Sequence, residues 1–393
     1  MTTFQKKKRK PCLKRVKNKR LKILLKIFNL LVFPVTLIFG LLLSLSGQVP
    51  SVPPSFSTYV PLLGLAFPVL YLINIILLVY WLLQVKWRSL IPATFLFINM
   101  GQISLYFQWN SPKDFPIQES SKLKVVSYNA NSFGQWTDNF SLDTITEKLK
   151  DLHADVYLIQ EAYSPQNKLK ALCRTLGKKL KTPHIAVYQL AENRGYGMCV
   201  LSKYPIKNWE KIKFLDQTGN MAMSADISIP PLNCLECSNE KIRVYNIHLQ
   251  SFRFNKQDYQ TVKTAKDSIE IDENNAKGLI QRIRIAYEKR EHQVDIVSRE
   301  IQDCKLPKIV AGDFNDVPVS YTYRNVSKGL NDAFITRGKG LETTYKGVFP
   351  SFRIDYILYS DPLQAETYRS IEDIPGDHKL IITEFDRNDL FEP

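Results

Sequence analysis

Apolar positions follow two different patterns along this chain, and the change comes near residue 110. Residues 27–47, 61–85 and 90–109 are nearly continuous apolar stretches, with Lys86 and Arg88 between the second and third. Each is long enough to cross a hydrocarbon core as a helix, which takes about 20 residues. The pattern predicts three transmembrane helices over 27–109. Tyr71, Tyr80, Trp81, Trp87, Tyr106 and Trp109 fall mostly near their ends, where amphipathic rings favour the membrane interface. No small-residue cleavage site stands out, which argues against a removable signal peptide. From residue 122 on, the apolar runs shorten. They predict strands at 123–128, 156–160, 185–188, 198–202, 221–229, 242–247, 308–311, 354–359 and 380–385. Helical spacing marks 142–153, 168–181 and a long amphipathic stretch at 277–302, and the charged segment 252–275 reads as helical in part. Strand runs with helices between some of them predict an α/β domain, two packed sheets with helices outside. The chain therefore divides into a basic arm (1–26), a membrane unit (27–109), a polar linker with two prolines (110–121) and a large domain (122–393).

Charge sharpens this division. The net charge of +15 comes almost entirely from the arm, which holds 12 Lys or Arg and no acid. Residues 111–393 carry 39 basic residues against 38 acidic ones. A near-neutral domain does not carry the overall footprint of a nucleic-acid binder, whose affinity comes from basic clusters on the binding domain itself. The arm runs straight into an apolar segment, so the positive-inside rule favours a cytoplasmic anchor over a nucleic-acid tail or a targeting signal. With three crossings, the domain would lie outside the cytoplasm, and losing one crossing would reverse that.

Chemistry enters at the strand ends. In IVAGDFNDVP, Asp313 and Asn315 follow an apolar run, with Gly312 to let the chain turn. A carboxylate beside an amide at a sheet rim can orient or deprotonate a water and hold a phosphate oxygen. Alone, the stretch also fits a plain strand with an Asx-turn. It is not alone. LKVVSYNAN ends on Asn129, VYLIQEAY carries Glu161, KIRVYNIHLQS carries His248, FRIDYILYS carries Asp355, and PGDHKLIITEF opens on Asp377 and His378.

In that order, and over residues 122 to 387, these segments resemble the endonuclease/exonuclease/phosphatase superfamily, which includes deoxyribonuclease I, exonuclease III, neutral sphingomyelinases and inositol polyphosphate phosphatases. GDFNDVPVSYTYR and FRIDYIL are most similar to its membrane-anchored bacterial branch. The resemblance implies a four-layered α/β/β/α sandwich and a metal-dependent phosphoester hydrolase. It implies Mg2+ or Mn2+ held by Glu161, Asp377 and the Asn129 amide, since such ions prefer oxygen ligands. Asp313, Asn315, His248, His378 and Asp355 form the implied catalytic set, with Asn315 and His248 also touching substrate. Asp355 would orient His378 and favour its charged form. His248 in NIHLQS argues against an apurinic-site endonuclease resembling exonuclease III, in which Tyr tends to stand at this place. Arg353 reads as a surface ion pair ahead of a contact to a substrate anion, Arg290 and Arg324 as weaker candidates for that contact, and Tyr321 and Tyr323 as lining the cleft or simply packing.

The expected function is thus a membrane-anchored phosphoester hydrolase in a bacterial inner membrane, with a periplasmic domain acting on nucleic acid or a phospholipid head group. No protein partner is inferable. A non-catalytic scaffold on the same fold is the alternative, disfavoured because every chemical position is filled. A transporter is disfavoured by the lack of intramembrane charge. The spacing Cys234-x-x-Cys237 suits a local disulfide better than a zinc site, for which a second pair is missing. Cys199 reads as a small buried hydrophobe.

Overall fold

The computed structural model of the protein describes residues 13–57, 59–110, 121–134, 142–215, 219–231, 238–254, 258, 260, 264, 273–347 and 352–391. Cys12, Cys234 and Cys237 lie outside the described residues. The chain forms two compact units, one of Met1–Gly47 with Ala66–Met100, the other of Gln48–Leu65 with Gly101–Pro393.

The first unit is helical. α1 (Leu13–Gln48) and α2 (Val60–Leu83) contain stretches long and apolar enough to cross a membrane. Their few polar side chains bond across the pair. Trp81 Nε1 donates to Thr36 Oγ1 at 3.0 Å, and Asn74 Nδ2 donates to the Phe39 carbonyl at 3.0 Å. Buried polar groups need such partners where water is absent.

The expected third span is not one helix. α3 (Leu90–Ile98) stops after nine residues, and α4 (Met100–Ile103) is a single turn. β1 (Phe107–Trp109) is a strand, paired antiparallel with residues 339–341. Asn99 terminates α3: its backbone N–H and its side-chain Nδ2 both donate to the Phe95 carbonyl. Among the described residues, two helices rather than three have the length of a span.

The second unit contains strands β2 (Lys122–Asn129), β3 (Val156–Tyr163), β4 (His184–Ala191), β5 (Arg194–Ser202), β6 (Ile206–Ile212), β7 (Met221–Ile229), β8 (Glu240–His248), β9 (Lys308–Asp313), β10 (Asn331–Asp332), β11 (Lys339–Leu341), β12 (Asp355–Tyr359), β13 (Ala365–Ile371) and β14 (Leu380–Asp386). They form two six-stranded sheets, ordered β13-β14-β2-β3-β5-β4 and β10-β12-β9-β8-β7-β6. All nine predicted strands are present. β6 and β13, both edge strands, were not predicted, because the sequences IKNWEKI and AETYRSI show no clean apolar alternation.

Three apolar layers hold the domain together. Val125, Leu158 and Val200 of one sheet meet Met223, Val244 and Ile309 of the other. α5 (Leu142–Asp151) and α6 (Leu169–Lys179) cover the outside of the first sheet through Ile145, Leu149, Leu169 and Leu176. Val294, Val297 and Ile301 of α7 (Glu273–Asp303) cover the second. This is the expected α/β/β/α layering. Cys173 and Cys199 are free and buried in the layer under α6, so Cys199 packs as a small hydrophobe. One polar clasp crosses between the sheets: Gln160 Nε2 donates to Asn246 Oδ1 at 2.7 Å, and Asn246 Nδ2 donates to the Cys199 carbonyl at 2.9 Å.

Candidate active site

Strand direction assembles the site. β2 and β3 run parallel, and so do β8 and β9, while every other pair within the two sheets is antiparallel. Parallel partners end on the same side, so Asn129 lies beside Gln160 and His248 beside Asp313. β12 runs against β9 and starts where β9 stops, which sets Asp355 opposite Asp313. β14 runs against β2 and begins beside it, with Ile381 opposite Ser127, so Asp377 and His378 arrive at the same rim. All eight residues expected at the site are at this end.

Local backbone aims the side chains. Glu161 sits at an irregularity in the β3–β5 register and has a positive φ of 49°. The bulge re-aims a side chain that a regular strand would bury or face away. Asn315 has φ 53° and donates its backbone N–H to Asp313 Oδ1 at 2.8 Å. Its Nδ2 donates to the Leu249 carbonyl at 2.9 Å and to Asp313 Oδ2 at 3.1 Å.

The polar groups then form one connected array. Asn129 Nδ2 donates to Asp313 Oδ2 at 3.0 Å and to Glu161 Oε1 at 3.2 Å. Asn129 Oδ1 accepts from the Asn131 N–H at 3.0 Å, so the amide nitrogen, not the oxygen expected to face a metal, faces the carboxylates. His378 Nδ1 lies 2.9 Å from Asp355 Oδ2, and its Nε2 lies 3.8 Å from Asp313 Oδ2. His248 Nε2 lies 3.3 Å from Glu161 Oε1, yet among the described residues neither of its ring nitrogens has a hydrogen-bond partner. Glu161, Asp313, Asn315, Asp377 and His378 share the wall of one pocket of about 270 Å³. Its lining also includes the apolar Leu65, Phe252, Phe254 and Phe352.

Burial and charge give these groups distinct protonation tendencies. Burial pushes the Asp313 carboxyl up to about 6, against the pull of His378. Burial also raises Glu161, with His378 pulling the other way. For His378, burial opposes the charged ring, but the carboxylates of Asp355 and Asp313 outweigh it and hold the imidazole well above its ordinary value. His248 is lowered, chiefly by burial.

Sequence reasoning missed the supports. Asn131 Nδ2 donates to Asp377 Oδ1 at 2.8 Å. Thr344 Oγ1 accepts the N–H groups of Ile354 and Asp355, both at 3.0 Å, and so fixes the start of β12. Tyr345 stacks edge-on against His378 with ring centroids 5.5 Å apart. None of these lies at the end of an apolar run, which was the only available signal. Arg353 is not a surface ion-pair residue but a buried one, bonded to Asp332 at 2.6 Å, and Arg290 is buried 3.0 Å from Asp316. Tyr323 packs in the core and donates to Asp332, while Tyr321 donates to Asp295.

Comparison with known proteins gives this arrangement a context. A search of curated proteins found no match. Among solved structures, the chain is similar to an endonuclease/exonuclease/phosphatase from Beutenbergia cavernae, at 15% identity over 68% of this chain and 72% of that one, with a TM-score of 0.48. It is similar to ANGEL2, a 2′,3′-cyclic phosphatase, at 16% identity over 67% and 95% of the two chains, TM-score 0.47. The human Nocturnin catalytic domain with bound sulfate matches at 17% identity over 67% and 94%, TM-score 0.45. A family model described as a domain of unknown function matches residues 26–117. Residues 126–234 and 282–378, more than half of the 393, match the endonuclease/exonuclease/phosphatase family model. The chain belongs to the endonuclease/exonuclease/phosphatase family.

Proposed function

We propose that the protein is a membrane-anchored, divalent-metal-dependent phosphoester hydrolase. The observation that carries this reading is the Asp355–His378 pair, 2.9 Å apart, facing buried Asp313 in the pocket that also holds Glu161 and Asp377. The donor set is rich in carboxylate oxygen and suits Mg2+ or Mn2+. Glu161 and Asp377 would hold the ion. Asp313, Asp355 and His378 also place ligand atoms within 4.8 Å of one another. That trio reads better as a catalytic relay, because His378 Nδ1 already bonds Asp355 and both Asp313 oxygens already accept amide hydrogens. A bound divalent cation neutralises phosphate charge and so lowers the barrier to attack by water.

The protein's own groups supply the remaining steps. Asp313, poised near neutral pH, takes the proton of the attacking water as the new P–O bond forms. His378, kept cationic by two carboxylates, stabilises charge on a phosphate oxygen. His248 resists protonation, which favours a neutral hydrogen-bond donor over a resting general acid. Its ring nitrogens, buried and without a hydrogen-bond partner among the described residues, would bond substrate once it is seated. The P–O bond to the leaving group breaks as the new one forms, and the released alkoxide takes a proton from solvent. Full-length protein in detergent should hydrolyse bis(4-nitrophenyl) phosphate with Mg2+, lose activity in EDTA, and recover it when Mg2+ returns. Activity untouched by EDTA would remove the metal from this account.

Anchoring follows from the two long apolar helices, and sidedness from the loop between them. Gln48–Leu65 belongs to the same unit as the catalytic domain. Ser55 bonds Glu291 through its N–H at 2.7 Å and its hydroxyl at 2.8 Å, Arg324 donates to Ser51, and Leu65 lines the reaction pocket. Loop and domain therefore lie on one side of a membrane that α1 and α2 cross. With the basic arm cytoplasmic, the domain is extracytoplasmic, in a bacterium periplasmic. The chain returns to that side through the broken stretch 87–103. Within it α3 reaches only roughly 14 Å at about 1.5 Å per residue, so the crossing needs the rest of the stretch and local thinning of the bilayer.

A further inference from the structure

A second cleft opens beside the reaction pocket and shares Arg253 with it. Its volume is about 920 Å³. It lies where the ends of β4 and β5, from one sheet, approach the segments flanking the β6–β7 turn, from the other. Arg194, Lys211, Lys213 and Arg253 line it, interleaved with Tyr188 and Tyr196. No carboxylate lines it among the described residues.

Several basic residues of the domain find counter-charges. Lys203 pairs with Asp155, Arg243 with Asp226 and Arg337 with Glu366. Arg194, Lys211, Lys213 and Arg253 form no ion pair among the described residues. Lys211 instead rests on the Tyr188 ring, 4.8 Å from its centroid. Arg253 is held with φ 50°, a backbone conformation that a long side chain seldom adopts without reason. Like charges gathered without counter-charges repel one another, so a solvated surface would disperse them. A cleft that gathers them favours an anion.

We propose that this cleft binds a second phosphate group of the substrate while the first is hydrolysed in the adjoining pocket. The proposal rests on the hydrolase reading above and names a substrate class for it: phosphoesters carrying at least one further phosphate. The tyrosines permit a base or ring beside that phosphate. Such a group could come from a nucleotide or from a phosphorylated head group, and the shared chemistry is the phosphate.

Two substrate pairs separate these sources. One is thymidine 5′-(4-nitrophenyl phosphate) with and without a 3′-phosphate. The other is glycerophosphoinositol with and without a 4-phosphate on the ring. For full-length protein with Mg2+, kcat/KM should favour the phosphate-bearing member of one pair by about tenfold or more. The pair that shows the preference identifies the source. In Lys211→Gln/Lys213→Gln, that ratio should fall towards one, and Lys211→Arg/Lys213→Arg should keep it, which separates charge from folding. Turnover without preference in either pair would overturn the second-phosphate subsite and leave the hydrolase intact. No turnover of any ester would strike the hydrolase reading instead, and binding would still decide the cleft. Inorganic tripolyphosphate, titrated calorimetrically in EDTA, should bind wild type about tenfold more tightly than the Gln/Gln variant. Equal binding would overturn the subsite.

Discussion

Glu161 and Asn315 both hold left-handed backbone angles, a strain of about 1–3 kcal/mol each that persists only where the surroundings over-determine it. Both flank the buried carboxylate of Asp313, whose substitution tests the mechanism most directly. In Asp313→Asn, two opposed effects act on stability. Burial no longer penalises a charge, but Asn129 and Asn315 would both aim N–H groups at an amide nitrogen or lose an acceptor. Each effect is on the order of 1–3 kcal/mol, so the thermal midpoint should stay within about 5 °C of wild type. Turnover should fall by about 10²- to 10⁴-fold, the usual cost of losing a general base. A variant that melts far lower would make Asp313 structural. His248→Ala bears on a different step. If His248 only bonds phosphate, turnover should drop by the same factor on a nitrophenyl ester and on an alkyl ester, and a larger loss on the alkyl ester would restore it as a general acid. The sequence marked these residues because each polar side chain ends or interrupts an apolar run. Asn131, Thr344 and Arg253 carry no such mark. They sit in loops, where nothing periodic distinguishes a support from a solvated residue.

At the scale of elements, two parallel strand pairs bring the chemistry together, and Gly312 is where one of them is tightest. It has φ 141°, and a Cβ there would run into the Ile247 carbonyl of the neighbouring parallel strand. Gly329 also has a positive φ, 73°, but opens onto empty space. Gly312→Ala should therefore cost on the order of 2–4 kcal/mol, against about 1 kcal/mol for Gly329→Ala. Equal losses in urea unfolding would mean that backbone strain, not the close approach to β8, decides at 312. The central strands were legible because both their faces are buried and they read as apolar runs. β6 and β13 were not. They are held by backbone pairing at sheet edges, and their outward faces are polar enough to resemble loops. The third apolar segment failed for the opposite reason: hydropathy measures composition, and it cannot see Asn99 closing a helix or Phe107–Trp109 pairing with β11.

Whole-chain numbers mislead twice here. A near-balanced count of 39 basic and 38 acidic residues hides a cleft with four cations that form no ion pair among the described residues, because net charge averages over surfaces that a ligand meets one at a time. A count of two long helices suggests that the chain ends on the side where it began, because an even number of crossings returns it there. Connectivity argues otherwise. Gln48–Leu65, the loop between those helices with the first residues of α2, is built into the catalytic unit through Ser55–Glu291 and Arg324–Ser51. A loop cannot pack on a domain that lies across the membrane from it. On the proposed topology, Lys86 and Arg88, just past α2, would mark the cytoplasmic side, in line with the basic arm. Alkaline phosphatase, which is active only outside the cytoplasm, should be inactive when fused after Lys86 and active when fused after Pro112. Activity at neither junction would mean that residues 87–103 do not cross. The domain would then share the cytoplasm with the arm, and the contacts of residues 48–65 with Glu291 and Arg324 could not coexist with a spanning α1 and α2. Activity at Lys86 alone would invert the anchor. The expected pattern and its inverse both keep Leu65 in the wall of the reaction pocket while both long helices span, and the basic arm selects the former.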